Sequence, residues 1–265
     1  MSEKQLPSFI FTPDNESIPN EINPNESEEV KFSFSNFSTH FDEHINKSIR
    51  GYSDLRNDVV KISEYFVEND TTVMDLGCSQ GSLLRRMKEQ NTFVQTTKYL
   101  GVEINDSFSD HWVEDENLKY LVDDITTMEF PNNLSMVTSL FTFQFIPERH
   151  RLPLMKKIYD NLIEGGSFVF SEKVLSISGK IQNMMEFIYY DYKKDYFSEK
   201  QILDKENELR HLAKLTNEDL LIKQLLGVGF RYIQPFWRNH NFVGYIGLKL
   251  PNKSLGEEDE WDYST

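Results

Sequence analysis

A short apolar run, Thr72-Val73-Met74-Asp75-Leu76, passes directly into Gly77-Cys78-Ser79-Gln80-Gly81, and a helical pattern follows from Ser82 to Lys88. This strand–glycine loop–helix unit constrains the fold more than any other feature. The strand must stop where a residue without Cβ lets the backbone turn, and the helix must fold back onto a sheet. The pattern then repeats. Tyr99–Glu103, Leu118–Val122, Leu134–Leu140 and Ser167–Ser171 read as strands. A helix containing Phe108 and Trp112, and an amphipathic helix from Glu148 to Leu162 stopped by Gly165-Gly166, lie between them. Strands alternating with helices imply βαβ units and a parallel sheet with helices on both faces.

Two helical stretches, 40–48 and 53–68, precede the first strand. After the fifth, residues 177–215 read as helix interrupted near Tyr196-Phe197-Ser198, an insertion in the α/β pattern. Thr216-Asn217-Glu218-Asp219 caps a further helix ending at Gly227 or Gly229. Residues 230–237 and 242–250 form a closing hairpin around Asn239-His240-Asn241. The expectation is one α/β domain over 30–254, with a mostly parallel seven-stranded sheet, a C-terminal antiparallel hairpin and the helical insertion.

The 265 residues, 38% hydrophobic, suffice for one sizeable core. Of the net charge of −15, residues 1–29 and 255–265 carry most. Both segments are expected to be disordered acidic tails, with Phe9, Phe11 and Trp261 as possible docking anchors. The remainder is only mildly acidic, so no nucleic-acid footprint is evident. One cysteine excludes a disulfide framework. Met1-Ser2-Glu3-Lys4 opens without a basic region and apolar stretch, and no run is long enough to span a membrane. A cytoplasmic protein is expected.

In a doubly wound sheet, ligands bind beyond the carboxyl ends of the strands. Three acids stand at such ends. Asp75 opens the glycine loop, Glu103 ends the second strand, and Asp124 follows the third. Glycine, serine and glycine at alternate positions behind a carboxylate suit an amine and a sulfonium better than a diphosphate. Glu103 can accept both hydroxyls of a ribose, and Asp124 an adenine amino group, with the Ile125 amide as donor beside it. Each residue alone is also compatible with an ordinary loop. Together they point to S-adenosylmethionine (SAM) or a close relative.

The motifs Ile49-Arg50-Gly51-Tyr52-Ser53, Asp75-Leu76-Gly77-Cys78-Ser79, Phe141-Thr142-Phe143-Gln144-Phe145 and Ser171-Glu172-Lys173 resemble those of the carboxy-S-adenosyl-methionine synthases. The resemblance runs from about Lys47 to Lys249. It implies a homodimeric class I SAM-methyltransferase fold, Rossmann-like, that uses SAM and prephenate to make carboxy-SAM for modification of the transfer RNA wobble uridine. It also implies cofactor contacts at Tyr52, Gly77, Cys78, Ser79, Glu103 (an aspartate in the family), Asp124 and Ile125; Asp75 and Gly81 join them from the loop reading. Two positions depart from the family. Leu140 stands where the family has Asn, and Glu206 stands where it has an Arg that holds the added carboxylate.

Arg210, one helical turn beyond Glu206, is a candidate replacement cation with Glu206 as its partner; an ordinary surface ion pair is the alternative. With Tyr190 these two are the catalytic candidates. Tyr189, Tyr190, Asp191, Tyr192 and Tyr196 form either a substrate wall or a packing and dimer face. Arg149, Arg151, Lys156 and Lys157 read as a solvated basic face. His40 and His44 share a helix face without further metal ligands, so no metal is expected. Cys78 reads as a packed small residue. Three functions fit these residues: a carboxy-SAM synthase, a methyltransferase acting on a small molecule, and a non-catalytic SAM-binding partner protein.

Overall fold

The computed structural model describes residues 41–251, so the two tails and His40 lie outside the described residues. Eight strands form the sheet: β1 (Thr72–Leu76), β2 (Lys98–Glu103), β3 (Leu118–Val122), β4 (Leu134–Leu140), β5 (Leu162–Leu175), β6 (Thr216–Asn217), β7 (Arg231–Asn239) and β8 (Phe242–Leu248). Seven of them run in the order β3-β2-β1-β4-β5-β8-β7. β1 to β5 are mutually parallel, and β8 is antiparallel to both β5 and β7. The helices are α1 (Phe41–Ser48), α2 (Tyr52–Ser63), α3 (Ser82–Gln90), α4 (Glu148–Asn161), α5 (Gly179–Lys194), α6 (Glu199–Leu212) and α7 (Glu218–Val228). α5 and α6 are the expected insertion.

Every residue of β1 is buried. Alternation along it feeds two apolar layers. Val73 packs with Leu55, Val59, Leu84 and Met87 of α2 and α3. Met74 and Leu76 pack on the other face with Leu154 and Ile158 of α4 and Leu225 of α7. Truncating such a side chain to Ala costs about 2–5 kcal/mol. This core fixes the strand ends, and hence the site.

Several boundaries differ from the sequence reading. α2 ends at Ser63, and the chain continues to β1 through turns that include Asp70 at φ 61°. Phe108 lies in a 3-10 turn, Asp106–His111, with Trp112 just beyond it. α4 stops at Asn161 because Leu162 is already extended, at φ −67° and ψ 141°. Gly165 and Gly166 therefore lie inside β5 and do not terminate the helix. A Cβ on Gly166 would stand 2.9 Å from the Ile163 carbonyl and 3.1 Å from that of Ser135, so the glycine permits close approach to β4. Thr216 and Asn217 form β6, pairing with Val174 and Leu175, before Asn217 caps α7.

Candidate functional site

The sheet order changes direction between β1 and β4, and the loops beyond their carboxyl ends open onto a cavity of about 780 Å³. Gly77 and Ser79 line it after β1, Glu103 and Asn105 after β2, and Asp123, Asp124 and Ile125 after β3. Leu140, Phe141, Thr142 and Gln144 line it after β4. α1 and the insertion form the opposite wall.

The glycine loop is tightly fastened. Gly77 and Cys78 donate their N–H groups to the Val102 carbonyl at 2.8 and 3.0 Å. The Trp112 indole donates to the Ser79 carbonyl at 2.8 Å, and the Tyr120 hydroxyl to that of Gly81 at 2.9 Å. Gly81 has φ 71°, and a Cβ there would lie 2.4 Å from the Tyr120 ring. Only glycine fits both the conformation and the space.

Glu103 is buried, with Oε2 accepting from Ser79 N at 3.1 Å and Oε1 from Asn105 N at 3.0 Å. Burial raises its carboxyl above the usual range, opposed by those N–H bonds. Asp124 is lowered, chiefly by the Thr126 side chain, whose hydroxyl donates to Oδ1 at 2.7 Å. Four other expected residues do not line the cavity. Asp75 is buried in β1, accepts from Thr138 Oγ1 at 2.6 Å, and is pushed by burial to about 6. Cys78 is buried, with its thiol raised by burial. Tyr52 packs against Phe141, and Gly81 against Tyr120.

At the insertion end, Glu206 and Arg210 both line the cavity, yet they do not pair. Glu206 Oε1 lies 3.5 Å from Lys193 Nζ on α5, while exposed Arg210 donates to Asn207 Oδ1 at 2.9 Å. The expected pairing along one helix gives way to one between helices, because the Lys193 side chain is only 5% exposed and its charge requires a partner. Burial lowers the Lys193 ammonium, and brings that of Lys205 to about 8. The ammonium groups of Lys173 and Lys193 lie 5.1 and 5.0 Å from the centre of the Tyr189 ring. Lys173 makes no hydrogen bond or ion pair through its ammonium with a described residue. Sequence reading missed these three lysines, because only the folded insertion brings α5 and α6 against β5. The one signal was Lys173 in the Ser171-Glu172-Lys173 motif.

The aromatic cluster divides. Tyr189 and Tyr190 line the cavity, whereas Tyr192 packs against Tyr196 and donates to the Asn46 carbonyl at 2.9 Å. Burial pushes the Tyr190 hydroxyl up to about 12. His44 of α1 lines the cavity, and burial among lysines lowers it to about 4. The basic face of α4 is not simply solvated. Arg151 is buried among backbone carbonyls, and Lys157 donates to the carbonyls of Ile125, Thr126 and Met128.

A family profile described as a methyltransferase domain matches residues 73–166. The carboxy-S-adenosyl-L-methionine synthase of Staphylococcus epidermidis is 31% identical over 219 residues, covering 79% of this chain and 92% of that protein. The enzyme of the same name from Shewanella piezotolerans is 30% identical, covering 79% and 88%. Among solved structures, human N-acetylserotonin methyltransferase in complex with SAM superposes with a TM-score of 0.54 at 14% identity, over 82% of this chain and 57% of that one. A phosphoethanolamine N-methyltransferase of Haemonchus contortus gives 0.51 at 15% identity, over 74% and 53%. Sheet order and the switch-point cavity are those of the class I methyltransferase fold, and the relative at 31% identity makes the chain a SAM-dependent transferase. The chain belongs to the carboxy-S-adenosyl-L-methionine synthase family.

Proposed function

We propose that this chain binds SAM or carboxy-SAM and carries out the carboxylating reaction, taking the carboxyl group from prephenate. Gly77, Ser79, Glu103, Asp124 and Ile125 would hold the nucleoside, with Tyr52, Asp75, Cys78 and Gly81 shaping the wall behind them. The fit rests on the donor set, since a buried carboxylate already oriented by two N–H groups suits a ribose diol. The cofactor supplies a methyl group activated by a positive sulfur. The chain's own residues orient it, close the site from water and balance the charge of the second substrate.

One observation carries the carboxylating reading. Lys173 and Lys193 meet at the insertion end of the cavity, with Glu206 beside Lys193, while Lys205 lies in the field of Glu208 as well as Glu206. Glu206 replaces the family's arginine, but its charge is taken up by Lys193, and the Lys173 ammonium remains to receive a carboxylate. Methyl transfer to a neutral acceptor needs no such cation. Mass spectrometry of the products formed from SAM and prephenate tests the reading. Carboxy-SAM is expected; S-adenosylhomocysteine with a methylated acceptor would replace it with the methyltransferase reading.

The product would serve transfer RNA wobble-uridine modification in the cytoplasm, and the chain would act as a homodimer. An exposed apolar stripe on α5 supports the homodimer, with Ile181 46%, Met184 49% and Ile188 41% accessible at helical spacing beside Phe187 at 68%. Sedimentation should give a dimer that Met184→Glu dissociates.

A further inference from the structure

Gln144 lies in the turn Phe143–Phe145 that follows β4, and it lines the cavity. Its backbone and its side-chain oxygen are both committed. The Gln144 carbonyl accepts from Lys214 N at 2.7 Å and from Arg151 Nη2 at 3.3 Å. The buried Glu172 carboxyl faces the backbone N–H groups of Phe143 and Gln144, which oppose the rise that burial imposes on it, and its Oε1 has no hydrogen-bond partner among the described residues. Gln144 Oε1 accepts from Lys173 N at 3.3 Å. With the oxygen engaged, the amide orientation is set and the NH2 group remains, since it makes no hydrogen bond to a described residue.

Arg151 extends this scaffold. Beyond the Gln144 carbonyl it donates to Ile146 O at 2.8 Å, to Thr216 Oγ1 at 2.6 Å and to Lys214 O at 2.5 Å. It thus ties the turn to the chain leaving the insertion. Glu172 and Lys173 are adjacent in β5 and serve opposite sides, because successive strand residues alternate. Glu172 is buried beneath the turn, while Lys173 lines the cavity.

We propose that Gln144 contacts the substrate, its side-chain NH2 donating to a carboxylate oxygen beside Lys173, and that Glu172 and Arg151 are positioning residues for it. This rests on the carboxylating reading above. A side chain that can only donate selects an acceptor, and a carboxylate is acceptor-only when ionised. Gln144, Glu172 and Lys173 belong to two motifs far apart in sequence that meet here.

The test measures affinities for SAM and carboxy-SAM by calorimetry, and turnover with prephenate, in wild type, Gln144→Leu, Glu172→Gln and Glu172→Leu. Gln144→Leu should weaken carboxy-SAM about ten- to a hundredfold, the size of one hydrogen bond to a charged group, and leave SAM affinity unchanged. Glu172→Gln keeps an acceptor for the two N–H groups and should stay near wild type. Glu172→Leu should reproduce the selective loss. An equal loss for both ligands in Gln144→Leu, or no loss for either, overturns the proposal. Wild type that makes no carboxy-SAM would overturn the carboxylating reading instead, and the equilibrium affinities would still report on Gln144.

Discussion

The Glu206 carboxylate lies 3.5 Å from the Lys193 ammonium, across the gap between α6 and α5. An acid at the position where the family carries a carboxylate-binding arginine should repel an anionic ligand. Paired with a buried lysine, it is neutralised locally. On the proposed carboxylating reading, specificity would then pass to Lys173, which shares the Tyr189 ring with Lys193.

The first prediction follows from that pair. Lys193→Met should lower carboxy-SAM affinity about tenfold or more, by exposing the ligand to an unpaired Glu206. Glu206→Gln should raise it. Arg210→Ala should matter less, because Arg210 is exposed and tied to Asn207. Competition binding with SAM and carboxy-SAM checks all three; equal ligand preference in every variant would remove the lysines from the argument.

The second concerns the nucleoside end. Glu103→Ala deletes the acceptor and releases the Ser79 and Asn105 N–H groups. SAM affinity should fall by about 1.5–3 kcal/mol, while Glu103→Asp, the family's residue, should retain most of it. Calorimetry reads both, and unchanged affinity in Glu103→Ala would unseat this acid as a ligand contact.

The third concerns the loop. Gly81→Ala places a methyl group 2.4 Å from the Tyr120 ring on a backbone at φ 71°. The left-handed conformation alone costs about 1–2 kcal/mol for a residue with Cβ, and the clash adds to it. Thermal melting should show a clear drop. At Gly165, with φ 83° but open space around the added Cβ, the same substitution should cost only the conformational part.

The parallel sheet, the loop and the strand-end acids were legible in the sequence because local rules govern them. Apolar runs, glycine turns and caps act within a few residues. The end of α4 was placed within one residue, but the role of Gly165-Gly166 and the start of β5 were misread, because the pair looks like a helix stop whereas Gly166 accommodates β4, a partner distant in sequence. The solvated reading of Arg151 failed for a similar reason. Its acceptors are carbonyls on two segments distant from each other in sequence, the turn 144–146 and Lys214, which helix periodicity does not reveal. The lysine cluster required α5, α6 and β5 to be brought together, and Asp75, a conspicuous acid in the motif, turned out to bond to Thr138 within the sheet.

The last prediction uses the buried Glu172. Burial pushes its carboxyl from the ordinary range to about 8, with Arg151 opposing the shift. Between the unfolded and folded values the native state holds a proton that the unfolded chain has lost. The native state then binds more protons, so stability falls as pH rises through this window. Other groups act elsewhere. Asp75, raised to about 6, contributes with the same sign but only up to that pH. His44, lowered from 6.5 to about 4, makes stability rise with pH, and only below 6.5. Lys205, lowered to about 8, acts above that value. The interval from about 6.5 to 8 therefore isolates Glu172, at up to roughly 1.4 kcal/mol per pH unit. Glu172→Gln cannot titrate and keeps an acceptor for the Phe143 and Gln144 N–H groups. Urea unfolding at several pH values in this interval should show wild-type stability declining relative to the variant. Parallel curves would mean that Glu172 is ionised in the native state, balanced by Arg151 after all.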